Sequence, residues 1–314
     1  MLLALRREIS LDRFDLMKIL IGSPDDNDYQ NKDVIIQGIT GSFGSTHTRL
    51  MMGYGTNVTA GVTPGKGGST FDGIPVFDNM KDAVASTGSI ITGIFVPAPS
   101  FLSAGKEALE CGIKLIVAIP EHVPVRDSIE LFELARKNNA RIIGPNTPGV
   151  ILPNIMKIGI MPGQPFTKGN TVVLSRSGTL MYEVSYNLSK AGYGQRLCFG
   201  IGGDPINGTN LIEAIDMVQH YDDIDSVVMV GEIGGDAEEQ FAEHLLKIGY
   251  NKPVIAYIAG RSAPKEKTMG HAGAIVYGNY GSAESKFSSL KEAHIPVAKS
   301  PAEVPSLLRK ELRR

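Results

Sequence analysis

Asp33-Val34-Ile35-Ile36-Gln37-Gly38-Ile39-Thr40-Gly41-Ser42-Phe43-Gly44 is a short β-rich run that passes straight into a glycine-rich turn. A helical stretch follows from about Ser45 to Tyr54, then a second strand near Asn57 to Gly61. Strand, glycine turn, helix, strand is the opening of a nucleotide-binding βαβ unit. Glycines in such a turn let backbone N–H groups face a diphosphate at the positive end of the helix.

The spacing GxxGxxG departs from the dinucleotide fingerprint GxGxxG, so the next segment has to discriminate. An NAD site usually ends its second strand with an acid ~20 residues on, to hold a ribose hydroxyl. The run 58–68, VTAGVTPGKGG, has no acid before Asp72 and offers Lys66 in a glycine-rich loop. A lysine there suits a phosphorylated ribose, which argues against an NAD-dependent dehydrogenase and fits coenzyme A with its 3′-phosphate. A solvated loop cation is the plainer alternative.

The pattern repeats outward. Ser89–Val96 is apolar and stops at Pro97-Ala98-Pro99, and Lys114–Ile119 precedes Pro120-Glu121-His122. Arg141–Gly144 runs into Pro145-Asn146-Thr147-Pro148-Gly149. These strands are continuous apolar runs rather than alternations, the mark of a parallel sheet covered on both faces. Five prolines between 145 and 169 suggest a boundary. The expected organisation is an N-terminal extension (1–32), a first domain (33–150), a linker (151–169) and a second domain (170–314).

In the second half, four strands deliver glycine-bearing loops to one edge: 176–179, 202–208, 231–235 and 260–273. A flavodoxin-like doubly wound sheet brings such loops together. Ser177 is a good N-cap, and Ser177, Gly178 and Thr179 open a helix whose N–H groups suit an anion. As a plain cap, Ser177 needs no ligand. His271 lies in GHAGA, so bare of side-chain cover that a large ligand can reach it. An imidazole accepts a phosphoryl group if one nitrogen is free and the other N–H is held by a carboxylate. Glu232, between glycines on the neighbouring loop, is the candidate holder, with a helix-dipole acid as the alternative.

At 314 residues the chain accommodates two domains, and 42% apolar with 20% charged residues describes an ordinary globular protein. A net charge of −2 argues against nucleic-acid or membrane-surface partners. Cys111 and Cys198 are isolated, with no zinc or disulfide pattern, and the natural guess is a reducing compartment. The first 17 residues are amphipathic but carry Glu8, Asp12 and Asp15, so the cytoplasm is favoured over the mitochondrial matrix. There is no metal-ligand pair and no GxxxxGK[ST] motif, so no resident metal is expected.

GxTGxxG with VTPGKGG, VPAP, IGPNxPGV, SRSGTLxYE, GIGGDPI, GEIGG and APKxKxMGHAGAI, in that order, resemble the α subunit of succinate–CoA ligase (succinyl-CoA synthetase). The resemblance implies an α/β chain: a Rossmann-like CoA-binding domain, then a flavodoxin-like ligase domain with a doubly wound parallel sheet. It implies a transient phosphohistidine on His271 stabilised by Glu232. It further implies CoA contacts at Thr40, Gly41, Ser42, Phe43, Lys66, Ile119, Pro120 and Glu121, and a substrate contact at Tyr182. An ATP-grasp β subunit would bring Mg²⁺ and ADP or GDP, in an αβ or (αβ)₂ complex. The chain departs from the family at Phe43, commonly glutamine, at Pro120, commonly threonine, and in a longer segment before Asp33. A malate– or acetate–CoA ligase, a citrate-cleaving subunit and a non-catalytic CoA-binding module are the competing readings.

Overall fold

The computed structural model describes residues 19–20, 33–260, 271, 274–276 and 281–313. Most of the expected N-terminal extension (1–18 and 21–32) therefore lies outside the described residues, as do 261–270 and 272–273 of the histidine loop.

The first sheet contains β1 (Val34–Gln37), β2 (Val58–Val62), β3 (Thr70–Phe71), β4 (Ile74–Phe77), β5 (Ile91–Ile94), β6 (Leu115–Ala118) and β7 (Arg141–Ile143). Their order is β3-β4-β2-β1-β5-β6-β7, and only the β3–β4 hairpin is antiparallel. With β4 as third strand, this is the dinucleotide-fold order 3-2-1-4-5-6. Every residue of β1, β5 and β6 is buried, as continuous apolar strands between two helical layers should be. The layers are α1 (Ser42–Met52), α2 (Met80–Thr87), α3 (Phe101–Glu110) and α4 (Val125–Lys137). Gly44 lets α1 close onto the turn after β1, because a Cβ there would collide with the Gly38 carbonyl. The hairpin and α2 carry weak signals. β4 alternates buried and exposed positions, with Pro75 turned outward.

The second sheet runs β14-β13-β12-β10-β11-β8-β9. Its parallel part is β10 (Lys168–Ser175), β11 (Gln195–Gly200), β12 (Ser226–Glu232), β13 (Val254–Ala259) and β14 (Val297–Ala298). In chain order that is 2-1-3-4-5, the flavodoxin-like arrangement. Its helices are α5 (Gly178–Lys190), α6 (Leu211–Val218), α7 (Ala237–Ile248), α8 (Ala283–Glu292) and α9 (Val304–Glu311).

The stretch 151–169 differs from the expected linker. β8 (Gly149–Leu152) and β9 (Met156–Gly159) form an antiparallel hairpin that extends the second sheet beside β11. The prolines lie outside or between these two runs, so their backbones keep every donor the ladder needs. Thr56 binds the hairpin from the first domain, its Oγ1 donating to the Lys157 carbonyl (2.6 Å) and accepting from the Lys157 amide (3.1 Å).

The crossover 144–149 joins the domains at the functional edge. The Asn146 amide donates to Pro120 O (2.9 Å), and the Gly203 amide to Asn146 O (3.0 Å). Thr147 Oγ1 donates to Gly200 O at 2.6 Å. These bonds set the β1/β5 switch point against the β10/β12 switch point. Among the described residues, no helix is long and apolar enough to cross a membrane.

Candidate active site

The two switch points face each other across a cavity of about 670 Å³. The first domain lines it with Phe43, Phe95–Ala98, Ile119, Pro120 and Glu121, and the second with Gly178, Thr179, Tyr182 and His271. Asn146–Pro148 of the crossover complete the wall. Of the residues expected to contact CoA, Phe43, Ile119, Pro120 and Glu121 therefore reach the cavity. Thr40, Gly41, Ser42 and Lys66 do not line it and are exposed. Thr40 Oγ1 donates to Thr63 Oγ1 at 3.2 Å, which holds the glycine turn beside the Lys66 loop.

Of the expected anion site, Gly178 and Thr179 line the cavity, while Ser177 is buried and caps α5 by accepting from the Leu180 amide at 3.5 Å. The plain N-cap role thus accounts for the Ser177 hydroxyl. The first N–H groups of α5 have no intrahelical acceptors, and they open toward the cavity at its positive end. Tyr182 lines the same wall; burial pushes its phenol up to about 12, so it is a neutral donor.

His271 Nδ1 lies 2.9 Å from Glu232 Oε2 and 3.1 Å from Oε1. Glu232 ends β12 and is 6% exposed, whereas the His271 side chain is 28% exposed. The carboxylate accepts a hydrogen bond from Nδ1–H, which leaves Nε2 as the nitrogen with a free lone pair. The hydrogen bond to Glu232 raises the His271 pKa above its ordinary 6.5; burial and Arg176 pull the other way, and Asp204 adds to the rise.

Behind Glu232 stands a buried ionic chain. Arg176 Nη2 is 3.5 Å from Glu232 Oε1, and its Nη1 is 3.0 Å from both Glu238 Oε1 and Gly234 O. Glu238 accepts from the Glu232 amide (3.1 Å) and from Lys286 Nζ (2.6 Å), and Lys286 also reaches Glu239 at 2.8 Å. Glu238 and Lys286 are completely buried. Removing one partner of such a pair typically costs ~3–5 kcal/mol. Burial opposes ionisation of Glu238, but Arg176 and Lys286 hold it below the ordinary carboxylate range.

Sequence reasoning missed these partners, although a signal was present. Glu238 shares the apolar stripe of α7 with Phe241, Ala242 and Leu245, at spacings i, i+3, i+4 and i+7. Lys286 shares that of α8 with Ala283 and Leu290. A charge on an apolar stripe implies a buried partner. Gly203 was also missed as a contact. A Cβ built on it would overlap Cγ and Cδ2 of His271 and stand 2.7 Å from Nδ1, so the imidazole lies flat on this glycine. Gly203→Ala is expected to displace the ring from Glu232 and slow any reaction at Nε2 by ~10²-fold. The thermal midpoint should stay near the parent's, and single-turnover rates beside a melting curve check this.

A Rossmann-like domain and a flavodoxin-like domain closing on a carboxylate-held histidine define a two-domain α/β coenzyme A ligase chain. Family models agree: residues 29–122 match the CoA binding domain and residues 174–295 the CoA-ligase domain. The chain is 48% identical over 287 residues to the succinate–CoA ligase [ADP-forming] subunit alpha of Aquifex aeolicus, covering 90% of this chain and 94% of that one. It is 47% identical over 275 residues to subunit alpha 2 of the same enzyme from Archaeoglobus fulgidus, covering 88% and 95%. The chain belongs to the succinate–CoA ligase α-subunit family. Among solved structures, ATP citrate lyase from Methanothrix soehngenii in complex with citrate and coenzyme A superposes with a TM-score of 0.83 at 22% identity, over 90% of this chain. The chain spans 50% of that protein's length, and the likeness is one of fold.

Proposed function

We propose that this chain is the phosphoryl-carrying half of a succinate–CoA ligase, with His271 as the carrier. One observation carries the reading: a buried carboxylate binds Nδ1 at 2.9 Å, so the other ring nitrogen is the nucleophile beside a cavity shared by both domains. Phosphate oxygen attacks the thioester carbon of succinyl-CoA, the C–S bond breaks, and the thiolate leaves as CoA. His271 Nε2 then attacks phosphorus of the acyl phosphate, the P–O bond to succinyl breaks, and succinate departs with the electron pair. A nucleoside diphosphate oxygen finally takes the phosphoryl group and frees the imidazole. Glu232 balances the positive charge on the phosphorylated ring, and the N–H groups opening α5 offset the spread phosphate charge. The apolar first-domain wall suits the pantetheine arm, while Lys66 and the 40–42 turn suit the phosphates of CoA. We infer an ATP-grasp β partner that brings Mg²⁺ and ADP or GDP, and a cytoplasmic location.

The test uses the chain purified with its partner, labelled phosphate and a panel of acyl-CoA thioesters. Acid-labile, base-stable label on the His271 peptide with succinyl-CoA is the expected result. Label with malyl- or acetyl-CoA in preference keeps the carrier and changes the substrate. No label from any thioester, nor from labelled ATP with Mg²⁺, overturns the phosphohistidine reading.

A further inference from the structure

We propose that Arg176 is a positioning residue for the His271–Glu232 pair, which rests on the phosphohistidine reading. Shared between Glu232 and the fully buried Glu238, it keeps Glu232 an oriented carboxylate and prevents that carboxylate from binding the imidazole proton too tightly.

The geometry gives two independent reasons. Arg176 is 6% exposed and follows β10 directly, so its guanidinium crosses the switch point to reach the end of β12 and the first turn of α7. It is anchored twice on its far side, by Glu238 and the Gly234 carbonyl, with a planar fork that leaves Nη2 one direction in which to face Glu232. The Glu232 amide is itself tied to Glu238 Oε1, so backbone and side chain of the same residue are fixed through one buried acid.

The charge count points the same way. Among the described residues of this buried ionic chain, Glu232, Glu238 and Glu239 face Arg176 and Lys286, an excess of one negative charge that a protonated His271 would neutralise. Without Arg176 the excess is two, and the imidazole becomes a stronger base that stays protonated, and unable to attack phosphorus, to higher pH. Arg176 works against protonation of His271, and Glu232 and Asp204 work for it. Asp204 accepts from Asn146 Nδ2 at 2.9 Å, and among the described residues Glu121 and Tyr182 are the other titratable groups that line the cavity with His271.

The test reads the basicity of His271 without relying on phosphoryl transfer. Diethylpyrocarbonate acylates only the neutral imidazole, so its rate at the His271 peptide, measured by mass spectrometry from pH 5.5 to 9, titrates that one residue in the full chain with its partner. In Arg176→Gln the half-maximal pH is expected to rise by about one unit, a ~10-fold lower rate at pH 6.5 that converges with the parent at high pH. Arg176→Lys, which keeps the charge, should restore most of the shift. Glu238→Gln should move the profile the opposite way, because Arg176 then serves Glu232 alone. If Arg176→Gln fails to fold, the Glu238→Gln profile still decides. Arg176→Gln and Glu238→Gln profiles that coincide with the parent's along the pH axis overturn the proposal. Failure to label His271 with phosphate in the parent, by contrast, overturns the carrier reading and leaves this titration standing.

Discussion

Replacing His271 with alanine is expected to abolish covalent phosphate incorporation and to lower succinyl-CoA-dependent turnover by at least ~10⁴-fold. A phosphoryl carrier splits one transfer into two, and without it the first half has no acceptor and the second no donor. The magnitude follows losses of that order or more when other covalent nucleophiles are removed. The fold should tolerate the change, since the imidazole is 28% exposed and rests on Gly203 without being wedged into the core. CoA binding, measured by calorimetry, should persist within a few-fold. Turnover within ~10-fold of the parent, with the complex intact, contradicts a covalent role.

The second large effect belongs to Glu232. In Glu232→Gln the amide fits the same space but can donate as well as accept, so the imidazole is no longer held as the Nδ1–H tautomer. The comparable loss in a carboxylate–histidine pair elsewhere is ~10⁴-fold, and ~10²–10⁴-fold is expected here for phosphorylation of His271. The pH dependence carries the sign. Glu232 raises the His271 pKa, so its loss should move the acid limb of the rate profile to lower pH while the plateau falls. For stability, a raised histidine pKa contributes most below the ordinary 6.5 and fades as pH rises through the folded value. The variant should therefore lose more stability at pH 6 than at pH 9, as paired melting curves would show. A uniform loss at both values would mean that Glu232 acts through packing alone.

Much of the fold was legible because its strands are unambiguous. Continuous apolar runs ending in glycine or proline gave most of the parallel strands of both sheets. The β3–β4 hairpin escaped because strands two to four residues long carry little periodicity, and α2, at eight residues, spans barely two turns. The 151–169 stretch misled because proline density dominates a local reading, yet the donors that matter lie between the prolines.

The sequence by itself determined the order of the elements and the residue types at the loop ends: the glycine turn, Lys66, the SRSGT helix start, Glu232 and a histidine among small neighbours. Those properties are local and are written in propensity, capping and spacing. Only the tertiary structure decided which nitrogen of His271 is held, that Gly203 supports its ring, and that Arg176, Glu238 and Lys286 stand behind Glu232. These residues are separated by up to 110 positions between Arg176 and Lys286, and no local pattern encodes their meeting. It follows from the strand order, because a doubly wound sheet places the carboxyl ends of its first and third strands side by side where the chain reverses direction.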